Sequence, residues 1–155
     1  MAIRVTITGA ERIKHKLALI EGPMRKAMRD AIQGGALAVE KEAKNSVQRG
    51  SPSGRIYEKY KPRRTHRASA PGQPPATDTG FLAAHITTVL DMDGLGASVE
   101  SQAVYSKALE FGHQYKTHKL AARPFLFPAF ERLKPRILQQ IAKALTTPLR
   151  KAGGK

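Results

Sequence analysis

The chain contains no cysteine, which excludes disulfides and thiolate metal sites. It contains no tryptophan, and aromatics are 6% of its residues, so few rings are on hand to stack on nucleobases. Acid is scarce: 12 Asp and Glu face 27 Lys and Arg, for a formal net charge of +15 over 155 residues. Long apolar runs are missing as well; none approaches the roughly 18 residues of a membrane-spanning helix. MAIRVTITGA, at the start, holds no apolar stretch of signal-peptide length, and Arg4 interrupts what there is. These absences predict a protein made and folded in a cytoplasm, without a membrane partner.

Catalytic signatures are missing too. His15, His66, His85, His113 and His118 are spread along the chain. His113 and His118 share one polar stretch, but their spacing matches no metal-ligand pattern and no carboxylate cluster lies beside them. There is no G-x-x-x-x-G-K-[ST] phosphate loop and no G-x-S-x-G elbow. After Ser101 the only acids are Glu110 and Glu131, too few there to hold the Mg²⁺ of a metal-dependent nuclease. Asp91, Asp93 and Glu100 read as hairpin-turn and exposed-strand positions. The expectation is no enzyme, no catalytic residue, no cofactor and no metal.

What is abundant is positive charge. So large a surplus of one sign exceeds what solubility requires. It opposes a compact monomer by self-repulsion and favours polyanions or acidic protein surfaces. Hydrophobic residues, at 41%, suffice for one domain, residues 1–155, with a modest core.

Ile3, Val5 and Ile7 alternate with Arg4, Thr6 and Thr8, predicting a half-buried strand ended by Gly9. Ile13, Leu17 and Ile20 recur at helical spacing. Gly22-Pro23 predicts a break or kink, with Pro23 acceptable as the first residue of a new helix. Met24, Ala27, Met28, Ala31, Ala38 and Val39 carry the pattern to about Val47. Gly34 and Gly35 weaken it by about 1 kcal/mol each relative to Ala, and the Ala, Gly and Met face predicts close approach of another backbone.

Further on, Asp78 or Thr79 reads as the N-cap of a short helix through Phe81 and Leu82. Residues 85–90 and 97–101 read as a hairpin with DMDGLG at its tip. Residues 104–111 have a helical cast, with Val104, Ala108 and Phe111 on one side and Gly112 as C-terminal cap. Residues 113–123 read as a polar, basic loop. Phe130, Leu133, Ile137, Ile141 and Leu145 form a helical stripe that Leu138 widens. Pro128 can start that helix, Pro135 predicts a kink or break in it, and residues 149–155 read as a frayed, flexible basic tail. The fold class is α+β: a small antiparallel sheet, the N-terminal strand plus the hairpin, packed against long helices.

Residues 49–77 show no periodic apolar pattern. Gly50, Pro52, Gly54, Pro62, Pro71, Gly72, Pro74 and Pro75 punctuate them. Arg55, Lys59, Lys61, Arg63, Arg64 and Arg67 charge them against Glu58 alone. A structureless loop this long signals function or disorder. Tyr57 and Tyr60 are candidates to pin it to the body.

Two stretches carry a resemblance: ASAPGQPPATDTGFL, from Ala68 to Leu82, and VYSKALEFGHQYKTHKLAARPFLFPAFE, from Val104 to Glu131. Together with SGRIY, from Ser53 to Tyr57, they resemble the phage neck and tail-completion family named after gene product 10 of phage HK97. The residues that carry it are Ala70-Pro71-Gly72, Pro74-Pro75, Asp78-Thr79-Gly80 and Leu82. Then come Tyr105, Leu109-Glu110-Phe111-Gly112, Arg123-Pro124-Phe125-Leu126 and Pro128-Ala129. The resemblance covers nearly the whole chain, which departs from the family in being unusually basic and in carrying Pro135.

The resemblance implies a structural virion protein at the head–tail junction of a long-tailed phage. It implies a homo-oligomeric ring, hexamer or dodecamer, that meets portal, adaptor or head-closure proteins on one side and a tail terminator or tail tube on the other. Genomic DNA would pass through its centre.

A ring needs head-to-tail contacts, and a Pro-stiffened arm loses little entropy when it docks on a neighbour. Residues 50–77 are therefore expected to form an intersubunit or inter-ring arm through Arg55, Tyr57, Arg63, Arg64, Arg67, Pro71, Pro74 and Pro75, against the plainer reading of a disordered loop. Lys59, Lys61, Lys116 and Lys119 are the candidates to face DNA or an acidic partner. Phe111, Phe125, Phe127 and Phe130 are expected in the core, and Glu110 is expected to pair with Arg123 across the 113–122 loop. The competing class is a nucleic-acid-binding accessory protein whose contacts are non-specific and phosphate-directed. A toxin-like nuclease lacks a visible acid/base pair.

Overall fold

A computed structural model describes residues 10–153 of the chain; the strand expected over residues 3–8 lies outside the described residues. Helix α1 spans Ala10–Gln48. Val39, Ala43 and Val47, one turn apart, are its buried stripe. The expected break at Gly22-Pro23 does not occur. Both residues are exposed, and one lost hydrogen bond at such a position lowers stability without dictating a break. The good helix formers Arg25, Lys26, Ala27 and Met28 then carry the helix on. Glu21 and Arg25 approach to 3.7 Å across the site.

The last helix, α4, spans Leu126–Gly153. It runs antiparallel to α1: Arg132 Nη1 meets Glu42 Oε1 at 2.5 Å, and Ile137 lies over Gly35, where an added Cβ would sit 3.1 Å from the Ile137 side chain. The close approach predicted for the glycine pair is thus made at Gly35 alone, by a side chain rather than a backbone. Helix α4 continues through Pro135 and Pro148. Pro135 is exposed like Pro23, so it costs a hydrogen bond without stranding a carbonyl in the core. Residues 149–153, expected as a frayed tail, belong to the helix. Its last turn holds Arg150 and Lys151, where the helix dipole favours cations.

Strands β1 (Ile56–Tyr60) and β2 (Arg63–Arg67) form an antiparallel hairpin. They correct the irregular loop expected there. Alternation of apolar residues marks a strand only when one face is buried in the core, and neither face of this hairpin is. Strands β3 (Ile86–Leu90) and β4 (Ala97–Ser101) form the expected second hairpin, with Thr88 opposite Val99. It lies along α1. Thr88 Oγ1 donates to Glu40 Oε2 at 2.7 Å, and Arg29 Nε donates to the Asp93 carbonyl at the tip at 2.6 Å. The Glu40 carboxyl is held below its ordinary pKa, first by the Lys44 hydrogen bond and then by that of Thr88.

Helix α2 (Phe81–Ala84) is capped by Gly80, at φ 76°. Neither Asp78 nor Thr79 is the cap residue, though Thr79 Oγ1 accepts from the Phe81 N–H at 3.3 Å. Helix α3 (Ser106–Phe111) ends as expected at Gly112, whose φ is 75°, a left-handed value that suits Gly. Two short strands, β5 (His113–Gln114) and β6 (Lys119–Leu120), pair within the expected 113–123 loop. The fold is α+β: long helices packed with two-stranded antiparallel sheets.

The core lies at the C-terminal half of α1, where Ala43, Val47, Leu82, Ala83, Ile86, Ala103, Phe125 and Ala129 meet. Of the four Phe expected there, only Phe125 is inside. Phe111, Phe127 and Phe130 are 73%, 60% and 42% exposed, because small side chains fill the space between the elements. Val104, placed on the same helical face, precedes α3 and is exposed. Among the described residues no helix is long and apolar enough to cross a membrane.

Candidate functional site

The basic residues of 55–67 fall on two faces of the β1–β2 hairpin. The register pairs Tyr57 with His66 and Lys59 with Arg64 on one face, and Ile56 with Arg67, Glu58 with Thr65 and Tyr60 with Arg63 on the other. The first face turns to the body and converges on one acid, Asp78. Lys59 Nζ donates to Asp78 Oδ2, Arg64 Nη1 lies 3.3 Å from Oδ1, and His66 Nδ1 lies 3.8 Å from Oδ1. The Asp78 carboxyl is accordingly held below its ordinary pKa, chiefly by the Lys59 hydrogen bond, against some desolvation. Tyr105 stands nearby, its phenol pushed up by burial and by the Asp78 charge.

The second face looks outward. Ile56 and Tyr60 are 60% and 72% exposed, and Arg63 and Arg67 stand beside them. Arg67 Nε donates to the Gly54 carbonyl at 3.1 Å, and the Arg55 guanidinium lies 5.6 Å from the centre of the Tyr57 ring. Lys61 and Arg63 have no hydrogen bond or ion pair among the described residues. The pinning of the segment expected from Tyr57 and Tyr60 is therefore done by Asp78 instead.

Residues 68–77 are a strap rather than a free arm. The Gly54 N–H donates to the Ala68 carbonyl and the Gly72 N–H to the Ala122 carbonyl. Ser53 Oγ donates to Gln73 Oε1. Ser69 and Pro75 are buried. A Cβ on Gly50 would lie 2.4 Å from the Pro75 carbonyl oxygen, so Gly50 is where the strap crosses the end of α1 at backbone contact. Of the expected arm residues, Pro75 is thereby fixed to the body, while Pro71 stays exposed and Pro74 is half-buried. A cavity of about 520 Å³ lies between hairpin, strap and α2, lined among others by Tyr57, His66, Asp78, Tyr105 and Arg123.

Glu110 and Arg123 do not pair. The buried Glu110 carboxylate accepts three backbone N–H groups at the start of α4: Phe125 at 2.9 Å and Leu126 at 3.1 Å on Oε2, and Phe127 at 2.8 Å on Oε1. A helix start presents unsatisfied N–H groups and a positive dipole end, and these outbid a guanidinium further off. Arg123 donates instead to the carbonyls of Ser69 and Ala121, tying the strap to the 113–122 loop. Pro124 leads into α4 and Pro128 sits in its first turn, where a missing N–H costs nothing.

Lys116 and Lys119 lie on the exposed β5–β6 hairpin. Tyr115 there stacks on His118, with centroids 4.6 Å apart, and meets His113 edge-on. Of the residues proposed to face DNA, Lys59 is the one already engaged. Among the described residues no group of three His, Asp or Glu could hold a metal ion.

Sequence reasoning missed two features. One is the anchoring role of Asp78, signalled by the first acid after five Lys and Arg, Lys59 to Arg67. The other is an open apolar groove of about 510 Å³ between α1, β4, α3 and α4, lined by Ile32, Ala36, Val99, Phe111, Phe127 and Ile141, among others. Comparison with protein-family models, with curated proteins and with solved structures returns no match.

Proposed function

We propose that the protein is a structural virion protein that assembles as a ring at the head–tail junction of a long-tailed phage. The observation that carries this reading is the apolar groove edged by exposed Phe111, Phe127 and Phe130, on a chain that also presents a separate basic hairpin. An exposed apolar patch of this kind marks an interaction surface. Two unlike surfaces on one small chain suit the head-to-tail contacts of a closed ring. The arm of the assembly is then the outer face of the β1–β2 hairpin, with Ile56, Tyr60, Arg63 and Arg67, and the strap is its base. Lys61, Lys116 and Lys119 are left to face the genome or acidic neighbours.

The test is the mass of the purified protein beside its copy number in intact particles. A ring-sized copy number is expected, with self-contacts that survive raised salt because apolar burial is not screened. The second reading, a non-specific nucleic-acid binder, rests on the net charge of +15. It requires no particle association and an affinity for duplex DNA that falls steeply and linearly in log–log with salt.

A further inference from the structure

One wall of the apolar groove is a strand. Ala97, Val99 and Ser101 of β4 line it, and no residue of β3 does. Among the described residues β4 pairs only with β3, so its outer edge carries backbone donors and acceptors without a strand partner beside an apolar trough, the Ser101 carbonyl being taken by Ser106 Oγ at 3.3 Å. That combination accepts an added strand. The Ser101 hydroxyl, buried in that wall, has no hydrogen-bond partner among the described residues.

One stretch of the sequence has the matching pattern: residues 3–8, with Ile3, Val5 and Ile7 alternating with Arg4, Thr6 and Thr8. With the apolar set facing the groove, Arg4 and Thr6 fall on the outer face, where β4 presents Ser98 and the exposed Glu100. The charges are complementary there.

The same chain cannot supply it. The hairpin tip sits at Arg29, and the groove lies beyond it, from Ile32 to Val39 along α1. Helix α1 begins at Ala10, so a straight helix puts Arg29 about 28 Å and Ile32 about 33 Å from Ala10. Seven Cα-to-Cα steps separate Ile3 from Ala10 and reach about 25 Å at most. Even folded straight back, Ile3 falls short of the tip. We infer that the groove receives residues 3–8 of a second copy of this chain, as a third strand on the free edge of β4. The inference deepens the ring reading and takes its second copy from it.

The experiment uses the full-length protein and a fluorescent peptide of residues 1–9. Expected is saturable binding at one peptide per chain, weakened at least tenfold by Val5→Lys in the peptide. Because the protein has no cysteine, a Thr6→Cys peptide can locate the site. It should form a disulfide with Ser98→Cys or Glu100→Cys protein. It should not form one with Val89→Cys on β3, one strand further at about 9.5 Å, beyond disulfide reach. Binding no tighter than that of the Val5→Lys peptide, or equal cross-linking at Val89→Cys, overturns the inference and leaves the groove to another protein. A ring-sized copy number in particles with no peptide binding sinks the strand exchange alone. Site-specific peptide binding without particle association sinks the virion reading and leaves strand exchange as the route of self-association.

Discussion

Replacing Glu110 by Ala is expected to cost about 3 kcal/mol of folding stability, which lowers the thermal midpoint by about 6 to 12 °C for a chain of this length. The reason lies in what the carboxylate leaves behind. It satisfies the N–H groups of Phe125, Leu126 and Phe127 at 2.8 to 3.1 Å, and Phe125 is 2% exposed. With the acceptor gone, water cannot fully reach those donors, and each buried orphan costs about 1–3 kcal/mol. The dipole end of α4 also loses its anion. Glu110→Gln keeps one acceptor oxygen but sets an amide N–H against backbone N–H groups, so it should lie between Ala and the parent. Thermal or urea unfolding of the three proteins checks the order. Equal stability of all three would mean that α4 starts without this cap.

The same residue shows what was legible in the sequence. That Glu110 mattered could be read from LEFG, and that RPFLFP opened a helix could be read from its prolines and apolar spacing. That the first caps the second could not, because the contact spans 15 residues and a chain reversal. Periodicity reports burial against a core. It therefore found α1, α4 and the β3–β4 hairpin, each with apolar residues turned at least partly inward, and was blind to β1 and β2, whose apolar residues are exposed. Of the break or kink expected at the prolines, the break does not occur, for a related reason. Pro23 and Pro135 stand at exposed helix positions, where the lost hydrogen bond costs stability without dictating a break. The Phe residues misled because composition says which side chains prefer burial, not whether a small core has room for them.

The candidate surface was half legible. The cations of 55–67 announced an interaction surface, but their division between two faces depends on the strand register, which no local pattern encodes. Lys59 and Arg64 point at Asp78 while Arg63 and Arg67 point away. The charge offered to a partner is therefore smaller than the count of Lys and Arg suggests. The apolar groove was not legible at all: its lining comes from four elements, none of them unusual alone.

Reversing the anchor tests that division. Asp78→Lys removes the one acid facing Lys59, Arg64 and His66 and sets a third cation beside Lys59 and Arg64. The pairs are partly solvated, so each is worth only a fraction of 1 kcal/mol to about 1 kcal/mol, and added like-charge repulsion of similar size brings the loss to about 2 kcal/mol. The penalty falls on the docking of the β1–β2 hairpin, since neither Asp78 nor any hairpin residue belongs to the core. Trypsin cleavage within 55–67 should then rise by roughly 10- to 30-fold, with the thermal midpoint nearly unmoved. In the parent protein the dependence on pH has a definite sign. The folded Asp78 carboxyl titrates below its ordinary value, so its contribution is complete above an unfolded pKa of about 3.9 and is lost as pH falls through the lower, folded value. Amide exchange of the hairpin, corrected for its intrinsic pH dependence, should hold level from neutrality to about pH 5 and quicken only in stronger acid. Added salt should quicken it at neutral pH by screening the same pairs. Hairpin exchange that ignores both acid and the Asp78→Lys change would mean that the strap and the Gly54–Ala68 backbone bond hold the hairpin alone. The cations on its inner face would then be as free for a partner as those on its outer face.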